Sequence, residues 1–341
     1  MKSSKLFFLF LFLASATFLS AQQKVVLQSN GTTTVFGGAQ PFTDAYNASA
    51  TGDTIYLPGG SLVYPTNITK GLVIYGAGHY PDSTLATGKT VLSGNLTINV
   101  GADNLHLEGV ELTGGLFFSS NVKIDNVVLR RCRFGNINYV GNASPCENSQ
   151  IIQCVINEGI TLSNAKSSTI SNCFIGGQIG NGSEIAILNN VFFYNTTVAY
   201  HIFNGLKNSS VSNNIFLRRD RADCIQTGCN GVAFSNNIFK HSTTNIDANN
   251  SDINNYKGID IDNLFVNQSG QVFDYSHDYH LLSPTIYTGT DGTQVGVYGG
   301  LFPYKASAVP SNPHISTKLI APQTNNNGEL QIQINVSAQD E

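Results

Sequence analysis

Three stretches of this 341-residue chain hold the side chains best suited to chemistry. They are His201 with Lys207, Arg218-Arg219-Asp220-Arg221 with Asp223, and Lys240-His241. Cations beside a base suit an elimination on an acidic polymer, in which a guanidinium neutralises a carboxylate while a base removes the proton α to it. Arg218, Arg219 or Arg221 would be the neutraliser; an arginine, Lys207, His201 or His241 would be the base. Asp220, Asp223, Lys240 and His241 are the accompanying binding candidates. Hydrolysis would instead need two carboxylates flanking one bond, and Asp220 with Asp223 is the only nearby pair. A solvated loop whose Arg and Asp side chains pair with one another is the plainer use of such a cluster.

What positions these residues is a repeat. The phrase Val211-Ser-Asn-Asn-Ile-Phe216 returns as Phe234-Ser-Asn-Asn-Ile-Phe239, Ile187-Leu-Asn-Asn-Val-Phe192, Thr169-Ile-Ser-Asn-Cys-Phe174 and Asp260-Ile-Asp-Asn-Leu-Phe265. Looser forms end at Leu112, Phe134 and Ile156, so the phrase recurs every 18 to 26 residues. That interval holds two or three short strands with turns, and no segment between the phrases has a helical apolar period. The reading is an all-β, single-stranded parallel β-helix, one rung per phrase. The last residues of the phrases form a buried column. Two residues earlier the column reads Val110, Cys132, Cys154, Asn172, Asn190, Asn214, Asn237 and Asn263. Five asparagines stacked inward would bond amide to amide along the axis. The extra residues after Phe192, Phe216 and Phe239 fall at one loop position, which would set the three reactive stretches side by side on one face.

The ends complete the domain plan. Lys2 and Lys5, the apolar run Leu6–Leu13 and Ser20-Ala21 read as a signal peptide over 1–21. The run is too short to span a bilayer, so no membrane insertion is expected. Residues 22–303 form the β-helix and 304–341 a linker-like tail with one strand near Leu330–Val336. The destination is secreted, extracellular or at the cell surface, with a periplasm also open. The net charge of −4 and the lack of a basic run argue against nucleic acid as a partner. With 12% charged residues and 33 glycines, the composition suits many tight turns. Six cysteines are too scattered for a disulfide framework. Cys132 and Cys154 on neighbouring rungs could be stacked thiols or a bridge, Cys224 and Cys229 could close a small loop, and Cys146 and Cys173 have no assigned partner.

Further residues carry a resemblance. Phe42, Ala45 and Ala48 at helical spacing, then Gly52-Asp-Thr-Ile-Tyr-Leu-Pro-Gly-Gly60 and Leu72-Val-Ile-Tyr-Gly-Ala-Gly78, resemble the N-terminal start of pectin-lyase-like right-handed β-helix proteins. Asp278-Tyr-His-Leu281, Ser283-Pro284 and Gly296-Val-Tyr-Gly-Gly300 resemble the closing segment of bacterial right-handed β-helix repeat proteins. Tyr287 stands where that ending often has an acidic residue. The resemblance covers roughly residues 25–305 and implies a right-handed coil with a short N-terminal cap helix. It also implies a substrate groove beside loop insertions. The Asn-Thr-Asp, Asp-Asp and Gly-His-Gly motifs of the related hydrolases are missing, as is the calcium-binding aspartate cluster of the pectate lyases. Fold alone does not name a function.

Two metal readings are weaker. His277-Asp-Tyr-His280 lies in the closing segment, where a structural role is expected. Asp247-Ala-Asn-Asn-Ser251 begins like an EF-hand loop, but Asp252 sits where Gly is required. No metal or cofactor is expected, with a Ca2+ site among Asp247, Asp252, Asp260 and Asp262 left open. The function expected is a monomeric β-helix that binds extracellular or cell-surface glycan. A polysaccharide lyase, or a structural surface protein or adhesin, are the alternatives.

Overall fold

The computed structural model describes residues 23–141, 144–194, 201–217 and 225–338. They form an all-β parallel solenoid whose rungs each contribute one short strand to three long sheets. One rung shows the plan. Ala186–Leu188 lies in the first sheet, Val191–Phe192 in the second and Phe203–Asn204 in the third. The next rung follows in parallel register: Ile187 opposite Val211, Phe192 opposite Phe216, Phe203 opposite Gln226. Strands of two or three residues suffice because the parallel ladders continue from rung to rung, pairing strand backbone groups above and below.

Alternation sets the core. Along the second sheet Phe134, Ile156, Ile175, Phe192, Phe216 and Phe239 point inward and are buried. Phe192, Phe216 and Phe239 stack with centroids 4.8 and 4.9 Å apart, the ordinary spacing of neighbouring strands. Each such ring contributes about 1.5–3 kcal/mol by leaving water.

The rung at 169–175 departs from the expected alignment by one residue. Phe174 pairs with Val155 and Val191, and Ile175 takes the inward place between Ile156 and Phe192. A slip of one residue turns every side chain to the other face, so Cys173 and not Asn172 occupies the inner corner. The last rung is also displaced. Ser251–Ile253 and Tyr256–Lys257 pair with the preceding rung, whereas Ile261–Asn263 is a short 3-10 turn and Phe265 pairs antiparallel with Leu281. Asn255 therefore stands where Asn263 was expected.

At the inner corner the bonds run from rung to rung. Asn190 Nδ2 donates to Asn214 Oδ1 (2.9 Å), Asn214 Nδ2 to Asn237 Oδ1 (3.1 Å) and Asn237 Nδ2 to Asn255 Oδ1 (2.9 Å). Above them Cys132, Cys154 and Cys173 are buried free thiols on consecutive rungs. Cys146 and Cys229 are free as well, and Cys224 lies outside the described residues. Burial pushes the Cys132 and Cys154 thiols well above their ordinary value.

The residue just before this corner has positive φ on successive rungs: Arg131, Gln153, Asn172, Asn189, Asn213, Asn236 and Asn254. Asparagine tolerates that conformation. Arg131 holds it through a buried network. Its Nη1 donates to Glu108 Oε1 (3.0 Å) and its Nε to Gln153 Oε1 (2.8 Å).

Both ends differ from the rungs between them. Strands β1 (Val25–Ser29) and β2 (Thr32–Phe36) pair antiparallel at the start of the first sheet. Helix α1 (Pro41–Ala48) follows and buries Phe42, Ala45 and Tyr46 in the same core. Lys70 Nζ bonds the carbonyls of Tyr46 and Ser49 at its C-terminus, both at 2.7 Å, where a cation favours the helix dipole. At the far end, Asp252 lies opposite Phe234 and Lys257 opposite Phe239. Their ion pair puts charge where earlier rungs have aromatic core, a polar terminal rung of the kind a solenoid needs.

The chain then turns back. Its C-terminal segment lies over the outer face of the second sheet, where Val155, Phe174, Val191, Ile215 and Ile238 form an apolar strip. Phe265, Tyr279, Val295, Val297 and Tyr304 cover that strip. The positive-φ side chains hold the segment: Asn172 Nδ2 donates to the carbonyls of Val297 (2.9 Å) and Gly299 (2.7 Å), and Gln153 Nε2 to that of Pro303 (2.5 Å). Asn236 bonds the Thr288 carbonyl and Arg131 that of Val309. Beyond Pro310, His314–Ile320 and Ile332–Ser337 form an exposed antiparallel hairpin. Among the described residues no helix is long and apolar enough to cross a membrane.

Candidate functional site

With the second sheet covered, the third sheet presents an open outer face. Its strands read in, out, in: Leu116-Phe117-Phe118, Ile137-Asn138-Tyr139, Ile160-Thr161-Leu162. The middle residues stack into an outer column, Phe117, Asn138, Thr161, Gly180, Asn204 and Thr227. Around its centre lies an open trough of ≈ 520 Å³ lined by Asn136, Asn138, Glu158, Thr161, Gln178, Asn181, Tyr194 and Asn204.

Glycines shape the trough. Gly159, Gly176, Gly177 and Gly180 line it: the first three let neighbouring rungs approach backbone to backbone, and Gly180 leaves a gap in the outer column between Thr161 and Asn204. A Cβ on Gly177 would collide with the backbone of Glu158 and Gly159, whereas one on Gly180 would meet open space. The surrounding amides are aligned by bonds to one another. Asn138 Nδ2 donates to Asn136 Oδ1 (3.0 Å), and Asn136 Nδ2 to Glu158 Oε2 (3.1 Å). On the far rim Asn181 Nδ2 donates to Ser163 Oγ (3.1 Å). Such a surface offers many donors and acceptors, one carboxylate and one aromatic ring among its described lining residues.

No family model, curated protein or solved structure matches this chain. The trough must therefore be read from its own chemistry, with the candidate residues of the sequence placed around it. His201 ends the connection between the second and third sheets, and its carbonyl accepts from Gln178 Nε2 at 2.6 Å on one rim. Lys207 does not share that connection. It lies in the turn from the third sheet back to the first, bridged to Ser183 and Asn230. It lines a neighbouring hollow that shares Asn181 with the trough. The two residues thus flank the sheet from opposite sides. Lys240 and His241 follow Phe239 in a connection that runs from the second sheet to the first-sheet strand Ser251–Ile253. The His241 carbonyl accepts from the amide and hydroxyl of Thr244, and its Nε2 is buried without a hydrogen-bond partner among the described residues. Arg218, Arg219, Asp220, Arg221 and Asp223 lie outside the described residues.

The aspartates weighed for calcium are engaged in turns. Asp247 accepts from Asn249 and Asn250, Asp252 pairs with Lys257, and Asp260 accepts from the amide of Asp262 and from Asn263. His280 pairs with Asp278 at 2.6 Å and stacks on Tyr298, while His277 bonds the Tyr279 hydroxyl. Among the described residues no three His, Cys, Asp or Glu side chains gather closely enough to hold a metal. Sequence reasoning missed the trough itself. Its signal was the apolar-polar-apolar triplets Ile137-Asn138-Tyr139 and Ile160-Thr161-Leu162, too short to stand out beside the asparagine-phenylalanine phrase.

Proposed function

We propose that this protein is a secreted right-handed β-helix that binds extracellular or cell-surface glycan along the outer face of its third sheet. The observation that carries the reading is the open trough lined by Asn136, Asn138, Thr161, Asn181 and Asn204, with a gap at Gly180. Hydroxyl-rich polymers are held by such side-chain amides and hydroxyls, each able to donate and accept. Tyr194 offers a ring face for a sugar's apolar side. Equivalent outer residues repeat at about 4.8 Å from rung to rung, which suits a ligand that is itself a repeat. Glu158 is the one carboxylate among the described lining residues, and hydrolysis would need a second.

The test is affinity electrophoresis of the purified chain through gels containing neutral and acidic polysaccharides, with and without calcium. Unsaturated-uronate absorbance is followed in parallel. Retardation by at least one polymer without a rise in absorbance supports a binder. A rise on an acidic polymer would replace this reading with a lyase, and free migration through every gel with no product would reject both.

A further inference from the structure

The aromatic cluster beneath the C-terminal segment encloses a second, separate cavity of ≈ 290 Å³. Phe174, Phe193 and Ile156 wall it from the second sheet, and Val272 with Phe273 from the returning segment. Arg133 stands at one side. Its Nη1 donates to the Tyr275 hydroxyl (2.9 Å), and its Nε and Nη2 to Asn157 Oδ1 (3.3 and 3.2 Å). A guanidinium has five N–H donors, so these contacts leave donors over. No carboxylate lies within ion-pair distance of Arg133 among the described residues; its rung neighbour Glu111 is paired with Lys89. The unneutralised charge is felt nearby. Burial, then Arg133 and Lys89, push the His79 ring down to about 3, leaving it neutral beside Tyr275.

We propose that this cavity binds a small carboxylate with a planar apolar body, its carboxylate on Arg133 and its ring among Phe174, Phe193 and Phe273. A cavity of about 150 Å³ lined by aliphatic and aromatic side chains already accepts benzene, so this volume has room for a ring and its carboxylate. A guanidinium facing a carboxylate supplies the directional, charge-assisted bonds, and the aromatic walls supply the apolar contact. The site goes beyond the glycan reading and stands without it: the trough is polar and open, whereas this cavity is more enclosed, with aromatic walls and Arg133, Asn157 and Gln271 as its polar lining. Asn157 and Gly176 line both, which places the two sites back to back at one corner of the coil.

Benzoate is the probe, titrated into the full chain by calorimetry and by amide shifts in 15N-labelled protein. Saturable binding is expected, with shifts centred on Asn157, Gly176, Gln271 and Phe273. Benzamide should bind about tenfold more weakly, and Arg133→Gln should lose a similar factor for benzoate with a clearly smaller loss for benzamide, whose neutral carbonyl forfeits no charge-assisted bond. The benzamide titration also guards against misfolding of the variant, since a collapsed cavity would lose both ligands. Equal affinity for benzoate and benzamide, shifts elsewhere on the surface, or no saturation at tens of millimolar would overturn the assignment. Polysaccharide retardation is scored separately, so failure at one site leaves the other standing.

Discussion

Asn214 shows how much one side chain does in a solenoid. Its Nδ2 bonds the carbonyls of Ile187 and Ser212 as well as Asn237 Oδ1, while its own Oδ1 accepts from the amide and side chain of Asn190. All of this is buried. Replacing it with Leu removes these bonds and takes the acceptor from the buried Asn190 amide, while Asn237 Oδ1 keeps the Asn214 amide and Asn190 Nδ2 keeps the Ile170 carbonyl. Each group left uncompensated costs about 1–3 kcal/mol. We therefore expect Asn214→Leu to destabilise by about 2–4 kcal/mol, read as a fall in denaturation midpoint; a midpoint like that of the parent would contradict the corner geometry. Glu108 carries the second residue-scale expectation. Burial raises its carboxyl, but the bond from His106 and the charge of Arg131 outweigh this and hold it below the usual range. A lowered folded value contributes stability above the ordinary carboxylate range, near 4.3, and loses it as pH falls towards the folded value. Glu108→Gln should thus cost about 3–5 kcal/mol near neutrality, because Arg131 keeps a buried, uncompensated charge. The gap to the parent should narrow as pH drops below that range. A gap constant with pH would contradict a Glu108 carboxyl held below its ordinary range.

At the scale of elements, the rung was legible where its phrase is complete. Asn213-Asn214-Ile215-Phe216 and Asn236-Asn237-Ile238-Phe239 carry the outer turn, inner corner, outer apolar and inner aromatic positions in order. At 169–175 the same positions hold Asn172-Cys173-Phe174-Ile175, and the phenylalanine drew the alignment one residue off. In the last rung Asp252 and Lys257 replace the aromatic core, so no inward apolar pair marked it. The returning segment was illegible for another reason: Asn172 meets Val297 across 125 residues, and periodicity reports only neighbours. That segment hangs on the outer amides. Asn172→Ala would remove two bonds to it and place a Cβ without side-chain compensation in a left-handed turn. We expect a loss of about 2–3 kcal/mol and faster hydrogen exchange over 295–304 than in the rungs. Unchanged exchange there would mean that the aromatic cluster alone holds the segment.

Across the whole molecule, the coil divides its surface by sheet. The second sheet carries an apolar outer strip and is covered by the chain's own return; the third carries polar outer residues and stays open. With its C-terminal segment covering the second sheet, the coil leaves the third sheet's outer face open, and that is the face on which glycan binding is proposed. The sequence drew attention to Arg218, Arg219 and Arg221, which lie outside the described residues; the trough is built from residues between 136 and 204. The most direct measurement is polysaccharide retardation of Gly180→Ile beside the parent chain. Gly180 sits mid-trough in an extended strand, and a side chain there meets open space, so folding should be unaffected while the trough is filled. The account predicts retardation of the parent, at least a tenfold loss in the variant, and melting within a degree or two of one another. Equal retardation of the two proteins would place glycan elsewhere, or nowhere, on this molecule.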